Sequence, residues 1–226
     1  MKFIVFGLGS FGSSLAGKLV TLGHEVIGVD HRAEMVDKWK EAITHTITMD
    51  ATSREAMQTL PVRDVDAVIV AIGETPGVSI MVTALLKQMG VKRIINRVIS
   101  PLQQTVLETM GIDEFTSPEA ESAERLAYRL DVKGVLDSHR VTDRYKLAEV
   151  NLPARFAGLK VGDIPFEAEY EVKLVTVIRQ VESRNIFGAV YSARKALGLV
   201  GNGLELRQDD RLLLFGEEAK LEEFMG

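Results

Sequence analysis

Cysteine is absent from the 226 residues. That excludes disulfides, thiolate catalysis and cysteine-based zinc sites. Histidine is scarce, and His24, His31, His45 and His139 are dispersed without metal-ligand spacing, which argues against structural zinc. Apolar runs longer than a strand are missing, so no segment is read as spanning a bilayer. The first residues carry no charged leader, long apolar core or cleavage site, and the expected location is the cytoplasm. A basic surplus is missing too: 27 Lys and Arg stand against 32 Asp and Glu, a net charge of −5. Nucleic-acid binding and direct adhesion or insertion into lipid are therefore disfavoured.

What is present is a globular composition, 46% hydrophobic and 26% charged, without internal repeats or low-complexity linkers. The length exceeds what one compact nucleotide-binding half requires and predicts one large and one small domain.

The most informative stretch runs from Lys2 to Ala16. A β-branched and aromatic run (Phe3, Ile4, Val5, Phe6) reaches Gly7, and Gly9 and Gly12 follow at dinucleotide-fingerprint spacing. Gly7 would permit the turn out of a strand, Gly9 the approach of backbone amides to a pyrophosphate, and Gly12 the close packing of the next helix. The helix N-terminus would offer free N–H groups and a positive dipole end to phosphate. A second strand, Glu25 to Asp30, ends on an acid placed for ribose hydroxyls. Neighbouring His31 is either a further ribose contact or a loop residue.

The alternation continues. His45 to Met49 reads as a third strand ending at Asp50-Ala51-Thr52. Asp50 is a candidate for an adenine amino group and Thr52 for the cap of the next helix, while either could serve solely as an N-cap. Asp66 to Ile72 is continuous apolar sequence, as expected of a parallel strand covered on both faces, and opens at Gly73-Glu74. A helix from Val78 to Leu86, a strand from Arg93 to Val98, a helix from Pro101 and a strand up to Thr116 complete six strands alternating with helices. The expected fold class is α/β, a doubly wound parallel Rossmann sheet. Ser117-Pro118-Glu119 opens a further helix, with Ser117 as N-cap and Pro118 at its first position, running to about Asp137. Its apolar stripe (Ala120, Ala123, Leu126, Ala127, Leu130) suggests a partner surface. Beyond it, strands are expected at Tyr145–Leu152, Val172–Arg179, Asn185–Val190 and Asp210–Phe215, with a short helix near Lys160 to Ile164 and a terminal helix from Glu217 to Phe224. The domains are therefore read as 1–137, a nucleotide-binding domain, and 138–226, a small α+β module.

With both halves in view, the chain resembles the cytosolic regulator of potassium conductance (RCK) proteins of Trk/Ktr potassium uptake systems. Gly7-Leu-Gly-Ser-Phe-Gly12 resembles the family's first loop, including Ser10 and Phe11, and Asp30 its ribose acid. Asp50-Ala51-Thr52 is similar to the element that closes over adenine, with Met49 in place of a glycine. Ala71-Ile72-Gly73-Glu74 looks like the loop after the fourth strand, Arg97 like the arginine of the fifth, and Ser117-Pro118-Glu119 like the opening of the crossover helix. Leu174 to Arg179 and Leu206 to Gly216 resemble elements of the RCK C-terminal domain, with Gln208-Asp209-Asp210 in place of its Gly-Asp. Ser10 stands where many Ktr-type members carry an arginine directed at a neighbouring subunit's phosphates, and it has no charge to offer.

The resemblance implies a gating subunit that is not an enzyme. It would bind ATP/ADP or NAD(H), assemble as dimers into a tetrameric or octameric ring, and act on an integral membrane potassium channel or transporter. It further implies Mg²⁺ or another divalent cation at Glu119, completed by phosphate oxygens or a partner subunit. In some members the C-terminal module holds a cyclic dinucleotide; Ile178, Ile186, Phe187 and Val190 are its candidates here, with core packing as the alternative. Two further functions stay open: the sensor of a cation/proton antiporter, and a small NAD(P)-dependent oxidoreductase. The second lacks a positioned acid/base, since no histidine follows His139.

Overall fold

The computed structural model describes residues 1–184 and 190–226. The chain divides into two compact units, Met1–Glu121 and Ser122–Gly226. The division falls inside a helix, upstream of the boundary read from sequence.

The first unit is built on a six-stranded parallel sheet: β1 (Lys2–Phe6), β2 (Glu25–Asp30), β3 (His45–Thr48), β4 (Ala67–Val70), β5 (Ile94–Arg97) and β6 (Glu114–Thr116), in the order β3-β2-β1-β4-β5-β6. Between them run α1 (Ser10–Thr21), α2 (Ala33–Trp39), α3 (Arg54–Met57), α4 (Pro76–Gln88) and α5 (Pro101–Thr109). The period-two geometry of a strand is visible in the packing. Ile4 and Phe6 of β1, with Val68 and Val70 of β4, join one core cluster with Val82 and Leu86 of α4. Val5 and Ile69 join the opposite one with Ala16 of α1 and Val36 of α2. Both faces are covered, which is why these strands read as unbroken apolar runs. The order reverses at β1, whose neighbours are β2 and β4, so loops leaving the strand ends diverge there and open a crevice.

From β6 the chain enters α6 (Pro118–Asp131), shorter than expected. Gly134 adopts φ +93°, a left-handed turn that an L side chain resists, and Val135–Arg140 then forms β7, a strand the sequence pattern did not suggest. The Ser117 amide donates to the Glu121 carboxylate at 3.1 Å. Leu126 and Leu130 are exposed, 44% and 76%.

The second unit is an antiparallel sheet, order β10-β9-β11-β8-β7, with β8 (Tyr145–Asn151), β9 (Lys173–Arg184), β10 (Val190–Ala196) and β11 (Arg211–Glu217). A short 3₁₀ turn, Val161–Asp163, lies where a short helix was expected, and another, Ala154–Phe156, precedes it; α7 (Glu218–Met225) packs on β8 and β11. β8 and β11 alternate between buried and more exposed positions, the mark of a sheet with one covered face. The core under it centres on Phe224, stacked on Phe156 and Phe166 at 5.1 and 5.5 Å, with Tyr170 edge-on at 5.2 Å. The strand expected at 185–190 falls, apart from Val190, outside the described residues, as do Ile186 and Phe187. Ile178 is half-buried and Val190 exposed. Among the described residues no helix is long and apolar enough to cross a membrane.

Candidate functional site: a cleft at the strand ends

A cavity of about 620 Å³ lies in the first unit where the strand order reverses. Its floor is the turn leaving β1. Gly7 has φ +93°, and a Cβ there would press on the Ala71 backbone and Ile72 at 3.2 Å. A Cβ on Gly12 would overlap the Gly7 carbonyl oxygen, so α1 can lie this close to the turn only with glycine at that position. Gly9 is different: φ is −65°, and nothing lies within 4 Å of a Cβ built on it. Neither the backbone nor packing within the chain requires a glycine here. The space it leaves is part of the cavity wall. Above it, among the described residues, the first bond of α1 runs from the Ser13 amide to the Gly9 carbonyl at 3.0 Å. Among those described residues the N–H groups of Ser10, Phe11 and Gly12 have no partner. A glycine without an internal reason, beside three free amides, fits a ligand phosphate group.

The β2 edge contributes Asp30, whose side chain is 2% exposed. Its Oδ2 accepts from the Leu8 amide at 2.8 Å, and its Oδ1 from the Arg32 amide at 2.9 Å and Arg32 Nε at 3.2 Å. Burial works against the charge, but the bonds from Arg32 and Leu8 prevail and hold the carboxyl below the usual range. His31 approaches Oδ1 at 3.4 Å from the exposed side.

Asp50 follows β3. Its Oδ1 accepts from both the Thr52 amide, at 2.8 Å, and the Thr52 hydroxyl, at 2.7 Å, and these bonds lower its pKa. The cap of α3 is Ser53, whose hydroxyl accepts from the Ala56 amide at 3.3 Å; Thr52, expected in that role, is committed to Asp50 instead. Ala51 is buried beside it.

The far wall is the loop after β4 and the end of β5. Arg97 Nη1 donates to the Ala71 carbonyl at 3.4 Å, and Arg97 lies 5.9 Å above the Phe11 ring. Its remaining nitrogens pair with Glu119, whose carboxyl is destabilised by burial but held below its usual range by Arg97. The Glu119 carboxylate is thus engaged by a guanidinium, and among the described residues no group of three or more His, Cys, Asp or Glu is arranged to hold a metal.

Of the residues singled out in the sequence, Gly7, Gly9, Ser10, Asp30 and His31 line the cavity, as do Asp50, Ala51, Thr52, Ala71, Ile72, Gly73, Glu74 and Arg97. Phe11 and Gly12 do not; the first supports Arg97 and the second the turn. Sequence reasoning missed Phe6, Val29, Thr75, Val78 and Met81 as walls; the last three sit at or near the start of α4, a position that follows from β4 being a central strand. Arg32, next but one to the ribose acid, and Met49, in place of a glycine, are in the wall as well.

Comparison with known proteins agrees with this architecture. Residues 3–118 match the TrkA-N domain model. The chain is 32% identical over 181 residues to Ktr system potassium uptake protein C of Bacillus subtilis (strain 168), covering 80% of this chain and 82% of that one. It is 29% identical over 163 residues to Ktr system potassium uptake protein A of Vibrio alginolyticus, covering 72% and 74%. Among solved structures, the GsuK channel bound to NAD superposes over the whole chain with a TM-score of 0.67 at 16% identity, and the chain spans 39% of that polypeptide. The TrkA-N domain of the inner membrane protein ybaL from Escherichia coli matches over 56% of this chain and 93% of its own, TM-score 0.51 at 19% identity. These two likenesses establish the fold. The curated relatives and the domain match go further: the chain belongs to the TrkA-N (RCK) family, with the Ktr potassium uptake proteins.

Proposed function

We propose that the chain is a regulatory subunit of a potassium uptake system, working in the cytoplasm against a membrane partner. It binds an adenine nucleotide in the cavity of the first unit. The observation that carries this reading is the glycine loop: Gly9 leaves open space beside three unpartnered amides of α1, while the strand ends supply polar side chains for ribose and base. In a bound complex, the amides of Ser10, Phe11 and Gly12 would hold phosphate, the Asp30 edge ribose, and Asp50 with Thr52 the adenine. Arg97 would stand on the phosphate side, and Glu119, paired with it, is the residue that would hold a divalent cation there, which would supply charge neutralisation for phosphate oxygens. The ligand is bound rather than turned over, and it acts by differing in affinity between two states of a homo-oligomeric ring. The exposed Leu126 and Leu130 of α6 suit an assembly face.

Isothermal titration of the full chain with ATP, ADP and NADH, each with and without Mg²⁺, tests this. Saturable binding of ATP and ADP with unequal affinity is expected. Absence of binding by all three would remove the nucleotide-switch reading.

A further inference from the structure

A ribose-binding acid normally presents a bare carboxylate to the two hydroxyls. Asp30 does not. Besides Leu8 and the Arg32 backbone, its oxygens receive Arg32 Nε at 3.2 Å and Arg32 Nη2 at 3.5 Å, and 2% of the side chain is exposed. A carboxylate has about four lone-pair positions, and those of Asp30 are taken by protein donors. A ribose bearing a 2′-hydroxyl has to displace the guanidinium before it can bond to this acid.

The arginine also offers something in return. Its side chain is 31% exposed and lines the cavity, and Nη1 points away from Asp30 toward Glu74 at 3.7 Å, beyond hydrogen-bond distance. The ribose end of the cleft therefore presents a guanidinium with free donors, over an acid whose charge it neutralises. A phosphate is the matching acceptor, since a guanidinium fork bonds two phosphate oxygens at once. Two other carboxylates face the same mouth. Glu74 is 79% exposed and can swing into solvent, and Asp50 spends one oxygen on Thr52. His31, 72% exposed, stands at the same end, its Nδ1 3.4 Å from the Asp30 oxygen that accepts from Arg32 Nε.

We propose that Arg32 is the ribose-selectivity residue of this site and directs it toward adenosine carrying a 2′-phosphate. This rests on the nucleotide-site reading above and would fail separately from it. The test compares adenosine 5′-monophosphate with its 2′-phosphorylated form by calorimetric titration of the wild-type chain, Arg32→Ala and Arg32→Lys. The wild type is expected to prefer the 2′-phosphorylated ligand by roughly tenfold, the scale of one charge-assisted contact pair. Arg32→Ala should weaken that ligand by about tenfold or more and tighten the monophosphate, because the competing guanidinium is gone. Arg32→Lys should recover part of the loss as a point charge.

Binding of the monophosphate by the wild type with no binding of the 2′-phosphorylated form overturns the proposal and leaves the nucleotide site intact. So does an equal loss of both ligands in Arg32→Ala, which would mark the residue as structural. Binding of neither ligand, together with no response to ATP or NADH, overturns both readings.

Discussion

Arg97 occupies the space that a side chain on residue 73 would need: a Cβ built on Gly73 falls 2.5 Å from Arg97 Nη1 and 2.6 Å from Cζ. The glycine of the loop after β4 is therefore a fitting of the arginine as much as of the loop. Gly73→Ala should push the guanidinium away from Ala71 and Glu119. Because the displaced group is the far end of a flexible side chain, the fold should hold, with a melting temperature near that of the wild type. Nucleotide affinity should fall by about tenfold, the worth of one charged contact. Unchanged titration curves would show that Arg97 has no part in binding.

The loop glycines separate into two kinds, and substitution should tell them apart. Gly12→Ala forces a methyl into the Gly7 carbonyl and should cost about 1–3 kcal/mol, the usual range for overpacking, read from urea unfolding. Gly9→Ala meets nothing within the chain and should leave the unfolding midpoint close to wild type while weakening nucleotide binding. If both variants lost only stability, the space beside Gly9 would not be a ligand subsite.

Acid should loosen the first unit partly through Asp30. Its folded pKa lies below the unfolded value of about 3.9, so the stability it lends is complete above that value. That stability is lost as pH falls through the lower folded value. Asp30→Asn should therefore be less stable than the wild type at pH 7, with the gap shrinking as pH falls below about 4. Urea midpoints of the two proteins across that range check it; a constant gap would mean that charge is not the source.

In the second unit, Arg179 and Asp210 form a two-pronged ion pair at 2.7 and 2.6 Å, with side chains 10% and 0% exposed. Arg179 also donates to the Glu205 carbonyl at 2.8 Å, and Asp210 accepts from the Arg207 amide at 2.8 Å. Asp210→Ala leaves a buried guanidinium without its counter-charge and should cost about 3–5 kcal/mol. A paired replacement by apolar residues of similar volume should cost much less. Denaturant unfolding of the single and double variants gives the comparison.

The parallel sheet was legible because its signals are local. A central strand such as β4 must be apolar on both faces, and the glycines of the β1 turn are demanded by the left-handed backbone of Gly7, by the Gly7 carbonyl lying against Gly12, or by a ligand. The second unit was harder. The helical period of α6 continues in sequence through Val132 and Leu136, but the left-handed Gly134 breaks it and β7 pairs instead with the strand that follows, β8. β10 exposes nearly all its side chains, so no alternation marks it. At Thr52 and Ser53 two adjacent hydroxyls compete for one cap, and the neighbouring Asp50 carboxylate decides between them. The engagement of Asp30 by Arg32 depends on a side-chain direction, which residue spacing does not encode.

Phe224 is fully buried at the centre of the aromatic cluster, and the Phe224 carbonyl accepts from Arg155, so the last turn of α7 is held by both a side chain and the backbone. Replacing Phe224 by alanine removes a side chain whose loss leaves a void worth about 3–5 kcal/mol. The anchor sits in the last turn of α7, so the resistance of that turn to an endoprotease should report directly on how often α7 lifts away from the sheet.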